Sequence, residues 1–99
     1  MQNQPFHGLS PAEHERLALL SEECAEVIQI VGKILRHGYD STHPDSPDGP
    51  DNRDMLQSEL GHVQFALGFL VANGDIKESA IAKALEQKAD KISAFLHHN

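Results

Sequence analysis

Three observations predict an all-α fold. Apolar residues recur at helical spacing, first in Leu19, Val27, Ile30 and Ile34, then in Leu56, Val63, Ala66 and Leu70. Helix-starting and helix-stopping residues bracket both stripes. No stretch alternates apolar and polar residues as a strand does, and there is no internal repeat or low-complexity tract. The architecture expected is an antiparallel hairpin of two long helices with a third packed on it, assembling into an oligomeric helical bundle.

Taken in order, residues 1–9 are polar and read as a flexible N-terminus, and residues 10–98 as a single helical domain. Ser10-Pro11-Ala12-Glu13 places Ser at the N-cap, Pro at the first helical position and Glu where a capping box needs it. The pattern then runs to about His37 and stops at Gly38, a span of about 40 Å at 1.5 Å per residue. Residues 38–51 are crowded with Pro, Gly, Asp and Ser and exclude regular helix. Connections between helices usually take about 2–8 residues, so this one calls for a reason: a surface excursion, or a lid lining a site. A second helix is predicted from Asp51 or Asn52 to Asn73-Gly74. Asp75-Ile76-Lys77-Glu78 then reads as an acidic N-cap with a Glu three residues on. The third helix is expected to run to about His97 with Ile81, Leu85, Ile92 and Leu96 facing inward.

The chain has 99 residues, enough for one small domain with a modest core, which favours self-association. Its 15 Asp and Glu outweigh 8 Lys and Arg, for a net charge of −7. That balance argues against a nucleic-acid polymer or an anionic membrane surface as partner, because both demand neutralising cations. A small anionic ligand is compatible if cations mediate the encounter. No apolar run approaches the roughly 20 residues of a membrane span, and the N-terminal residues lack a secretory layout, so a cytoplasmic protein is expected. The lone Cys24 cannot form an internal disulfide and sits on the apolar side of its helix, where a buried thiol is expected.

Two carboxylates sit where the stripes should be apolar. Glu23 falls within the first stripe and Glu59 at the centre of the second. An unpaired buried carboxylate costs roughly several kcal/mol, so a counter-charge, a proton or a metal is required. Glu23 and Glu26 are three apart on one flank, and Glu59 and His62 repeat that step, so pairing the helices brings all four to one point. Such i, i+3 pairs on facing helices are one way bundles build metal sites. Local alternatives stay open for the first helix: Arg16 could satisfy Glu23, and Lys33 could pair with Glu26. Glu59 has no comparable basic neighbour.

Glu22-Glu23-x-x-Glu26 followed by Glu59-x-x-His62 resembles the EExxE…ExxD motif of the MazG-like, all-α nucleoside triphosphate pyrophosphohydrolases, in their short phage and bacterial form. Lys33-Ile34-Leu35-Arg36-His37-Gly38, Asn52-Arg53 and the tail from Lys91 to His98 extend the resemblance over most of residues 9–98. It implies Mg²⁺-dependent cleavage of a nucleoside triphosphate to the monophosphate and pyrophosphate. It also implies metal ligands at Glu23, Glu26, Glu59 and His62, catalytic roles for Glu22 and Glu26, and a homodimer or homotetramer. Glu22 would act as an outer group or as the base that orients water. The motif's last position is usually Asp; His62 brings one nitrogen and no charge, which suits Mn²⁺, Co²⁺ or Zn²⁺ better than Mg²⁺. A relaxed metal preference, a three-carboxylate site with His62 near a phosphate, and a weakened enzyme all follow, the first being favoured.

Lys33, Arg36, Arg53 and Lys88 are the cations available to a leaving pyrophosphate, although Lys88 could equally snorkel to solvent. Base recognition is poorly specified: there is no Trp, Tyr39 is the one Tyr, Phe6 and Phe95 lie near the ends, and Phe65 and Phe69 suit a core or subunit interface. His43, in the long loop, is a distant second to His62. Two other functions compete. A phosphoribosyl-ATP pyrophosphohydrolase shares the carboxylates, but the chain lacks that enzyme's Lys-rich lead into the first motif. A non-catalytic helical module binding metal or nucleotide is favoured only by His62.

Overall fold

Capping chemistry sets where the helices begin and end. The computed structural model describes residues 7–98 and has three α-helices: α1 (Pro11–His37), α2 (Asn52–Ala72) and α3 (Glu78–Lys91), the last followed by a 3₁₀ turn (Ile92–Ala94). The N-terminal segment expected to be loose lies largely outside the described residues, as does Phe6. At the start of α1 the Ser10 hydroxyl accepts from the Glu13 N–H, and the Glu13 carboxylate accepts from the Ser10 N–H. Asp51 and Asp54 repeat this reciprocal arrangement at the start of α2. Gly38 ends α1 at φ 88°, a conformation that side-chain-bearing residues rarely adopt.

α1 and α2 form the antiparallel hairpin. At one end the 38–51 loop joins them; at the other, Arg16 near the start of α1 grips Asp75 just past α2. The seam is narrow. Ile30, Ala66 and Leu70 are buried, with Leu19, Val27, Ile34, Leu56 and Val63 half-buried along it. These are the residues the helical periodicity selects.

The loop is tied at its root. The Asn52 N–H donates to the Ser41 carbonyl and the Arg53 N–H to the Tyr39 carbonyl, at 3.0 and 2.9 Å. Asn52, buried, donates its amide to the Gly38 carbonyl. The Arg53 guanidinium binds Asp40 at 2.6 Å and lies 4.9 Å from the Tyr39 ring centroid. Free N–H groups at the entry to α2 thereby pair with carbonyls just past the end of α1.

Four expectations need correction. α3 does not pack along the hairpin: it has no buried residue, and Leu85 and Leu96 are 67% and 57% exposed. It also stops at Lys91 instead of near His97, tightening into the 3₁₀ turn. Asp75 is not its N-cap. Lys77 holds that position with no side-chain cap, and the Asp75 carboxylate is bound to Arg16 instead. Cys24, finally, is exposed, since α2 covers only one side of α1.

The single chain is extended. Its radius of gyration is 17.8 Å, against about 13 Å for a compact domain of similar length. It exposes 8150 Å², where a compact monomer of this mass exposes roughly 5,600 Å². Ile28, Leu35, Phe65 and Phe95 contribute to this surplus, each more than 65% exposed.

Candidate metal centre

The middle of the hairpin carries the chemistry. Glu23 and Glu26 lie on the α1 flank that faces α2, and Glu59 and His62 lie one turn apart on α2. One ligand atom from each of the four falls within 4.8 Å of all the others. His62 Nδ1 is 3.2 Å from Glu23 Oε2 and 3.4 Å from Glu59 Oε2. Three acidic side chains and one imidazole therefore share a space the size of a single coordination sphere.

Among the described residues no Lys or Arg pairs with these carboxylates, and His62 is the basic group beside them. Glu23 Oε2 and Glu59 Oε2 are buried and have no hydrogen-bond partner among the described residues. Arg16, the candidate partner of Glu23, is committed elsewhere, with Nε 2.6 Å and Nη2 2.9 Å from the two oxygens of Asp75. No Lys33–Glu26 ion pair forms among the described residues. The hydrogen bond that a protonated Glu59 donates to the Glu26 carboxylate, then burial, then the Glu26 charge push Glu59 above the ordinary glutamate range, with His62 opposing. Such a carboxyl pair holds a proton where a divalent ion can replace it.

The donor set fits a hard or borderline divalent ion. Three carboxylates satisfy Mg²⁺ or Mn²⁺, and the imidazole shifts the balance toward Mn²⁺. Solvent reaches the cluster through a shallow depression of 230 Å³ walled by Leu19, Glu23, His62 and Phe65. His62 is the most exposed of the four ligand candidates, at 55%. Glu22 is exposed and stands outside the cluster.

The cationic candidates separate. Lys33 and Arg36 line a cavity of 420 Å³ beneath the 38–51 loop, together with His43. Arg53 instead serves the loop root, bound to Asp40 and stacked on Tyr39. Lys88 sits on α3 with its ammonium 5.4 Å from the Phe95 ring, and lines neither cavity. The loop lines the cavity, one of the two roles its length suggested, through Ser41, Thr42 and Ser46, which sequence reasoning did not single out. The available signal was the cluster of hydroxyl residues in a connection too long for its task.

No family model matches the sequence, and neither the curated proteins nor the solved structures offer a match to it. The functional reading therefore rests on the residues and their geometry.

Proposed function

We propose that the chain is a metal-dependent nucleoside triphosphate pyrophosphohydrolase of MazG-like type, releasing pyrophosphate and a nucleoside monophosphate. One observation carries this reading: the partnerless buried oxygens of Glu23 and Glu59, converging with Glu26 and His62. Uncompensated carboxylates of this kind are costly unless a proton or a cation occupies the space between them. The motif resemblance supplies the reaction class.

Glu23, Glu26, Glu59 and His62 would hold Mg²⁺, with Mn²⁺ an alternative that His62 favours. A divalent ion held there supplies phosphate polarisation and a more acidic bound water. In the hydrolysis the water oxygen bonds to the α-phosphorus, the α–β bridging P–O bond breaks, and pyrophosphate departs. The water's proton passes to a carboxylate. Glu26 is better placed to accept it than Glu22, which lies outside the cluster. Lys33 and Arg36 offset phosphate charge that an acidic protein would otherwise repel.

We further infer a homodimer or homotetramer acting in the cytoplasm. The surplus surface supports the assembly: it exceeds the compact expectation by roughly 2,500 Å², as much as each partner contributes to a large obligate interface. The absence of any described helix long and apolar enough to cross a membrane is compatible with that setting.

Pyrophosphate release from a panel of NTPs and dNTPs, with Mg²⁺ and then Mn²⁺, tests the reading. Metal-dependent turnover supports it. Metal-dependent thermal stabilisation without turnover on any substrate would establish the non-catalytic module instead.

A further inference from the structure

We propose that the cavity beneath the 38–51 loop is a nucleoside subsite, taking base and sugar while the phosphates extend toward the carboxylate cluster. The inference rests on the pyrophosphohydrolase reading and names where its substrate is recognised.

Size comes first. The cavity holds 420 Å³, within the roughly 300–1,000 Å³ of small-molecule sites and far more than a diphosphate fills. Its position is the second point. Met55, on its floor, precedes Glu59 by one turn, or about 6 Å along α2, and Lys33 follows Glu26 by about 10 Å along α1. A nucleotide is long enough to bridge these points.

The lining is divided in the way a nucleoside phosphate requires. Pro44, Pro50 and Met55 offer apolar surface for a flat ring. Thr42 and Ser46 offer hydroxyls for its polar edges or for the sugar. Lys33 and Arg36 form the α1 wall, and neither has a carboxylate partner among the described residues, while Arg16 and Arg53 are both paired. In a chain of net charge −7, two unpaired cations on one cavity select for phosphate at its edge. His43 Nδ1 accepts the Asp45 N–H at 3.1 Å. The neutral ring therefore carries its proton on Nε2, as a donor for a base or sugar acceptor.

The subsite is also pre-formed. The hydrogen bonds and the Arg53–Asp40 pair at the loop root hold its walls apart without ligand. The depression beside Phe65 is smaller, at 230 Å³, and offers neither cation nor hydroxyl.

The test separates the subsite from the catalytic reading. Metal-free protein in EDTA is titrated with nucleoside 5′-monophosphates and with inorganic pyrophosphate, following backbone amide shifts. Monophosphates should perturb residues 41–46 and Met55 and bind at least tenfold more tightly than pyrophosphate. Ser46→Phe, at an exposed rim position, should weaken monophosphate binding at least tenfold and raise KM for every triphosphate with little change in kcat. Thr42→Val, which removes one hydroxyl at nearly constant volume, should cost a few-fold in monophosphate affinity. Equal binding of pyrophosphate and monophosphates, or unchanged affinity and KM in both variants, would overturn the subsite. Monophosphate binding in the cavity of a protein that cleaves no triphosphate would sustain the subsite and sink the hydrolase reading. Turnover indifferent to both substitutions would do the reverse.

Discussion

Two carboxylate environments on the same hairpin contrast sharply. Asp75 receives a two-pronged hydrogen bond from Arg16, and that contact holds its carboxyl below the ordinary 3.8. Glu59, at the middle of the hairpin, meets another carboxylate and is pushed above the ordinary 4.5. The first is a clamp whose charges are balanced inside the protein. The second meets no cationic Lys or Arg among the described residues, so a proton or a bound cation would have to offset its charge. A carboxylate's burial alone is therefore uninformative; what it faces separates an acid paired within the fold from one that favours its proton.

The contrast can be broken most severely at Glu59. Glu59→Gln should leave the helices intact by circular dichroism yet reduce turnover by more than the roughly 10–100-fold typical of supporting residues around a metal. Metal affinity, measured by calorimetry, should fall with it. Retained activity in that variant would remove Glu59 from the site.

A second substitution probes the imidazole. His62→Asp restores a fourth carboxylate, so the ratio of Mg²⁺- to Mn²⁺-supported turnover should rise about tenfold. The same variant without metal should be less stable, because it adds repulsion to an already unbalanced cluster. An unchanged metal ratio would place His62 outside the coordination sphere.

pH sharpens the comparison because the two shifts have opposite signs. Stability contributed by Asp75 is present above its unfolded value and is lost as pH falls through its depressed folded value. Stability associated with protonated Glu59 is full below its unfolded value and is lost as pH rises through its raised folded value. Denaturation midpoints of the metal-free protein should therefore decline as pH rises above the ordinary glutamate range. Saturating Mn²⁺ or Glu59→Gln should flatten that decline. A decline that persists under both treatments would exclude Glu59 as its source.

The smallest effect is expected at the clamp. Arg16→Ala should lower Tm by a few degrees and leave metal affinity unchanged, since Arg16 touches Asp75 and not Glu23. A change in metal affinity would show that the two environments are coupled through α1.

Much of the hairpin is legible without coordinates. Ser10, Pro11 and Gly38 carry local conformational preferences strong enough to set the ends of α1, and Asp51 does so for the start of α2. Ile30, Ala66 and Leu70 follow from the 3.6-residue period. The same period puts Glu23, Glu26, Glu59 and His62 on facing surfaces. Asp75 shows where such reasoning fails. Its spacing to Glu78 suits a cap, but a partner distant in sequence binds it more strongly.

Local sequence by itself determined α1 and α2, the Ser10, Gly38 and Asp51 caps and the inward azimuth of the acidic residues, because these depend on interactions within about one turn. Tertiary structure alone decided which charges find partners: Arg16 goes to Asp75, Arg53 to Asp40, and Glu23 and Glu59 receive neither Lys nor Arg among the described residues. It also decided that the loop encloses a cavity and that α3 stands away from the hairpin. Both outcomes depend on distances between segments remote in the chain, which no local periodicity encodes.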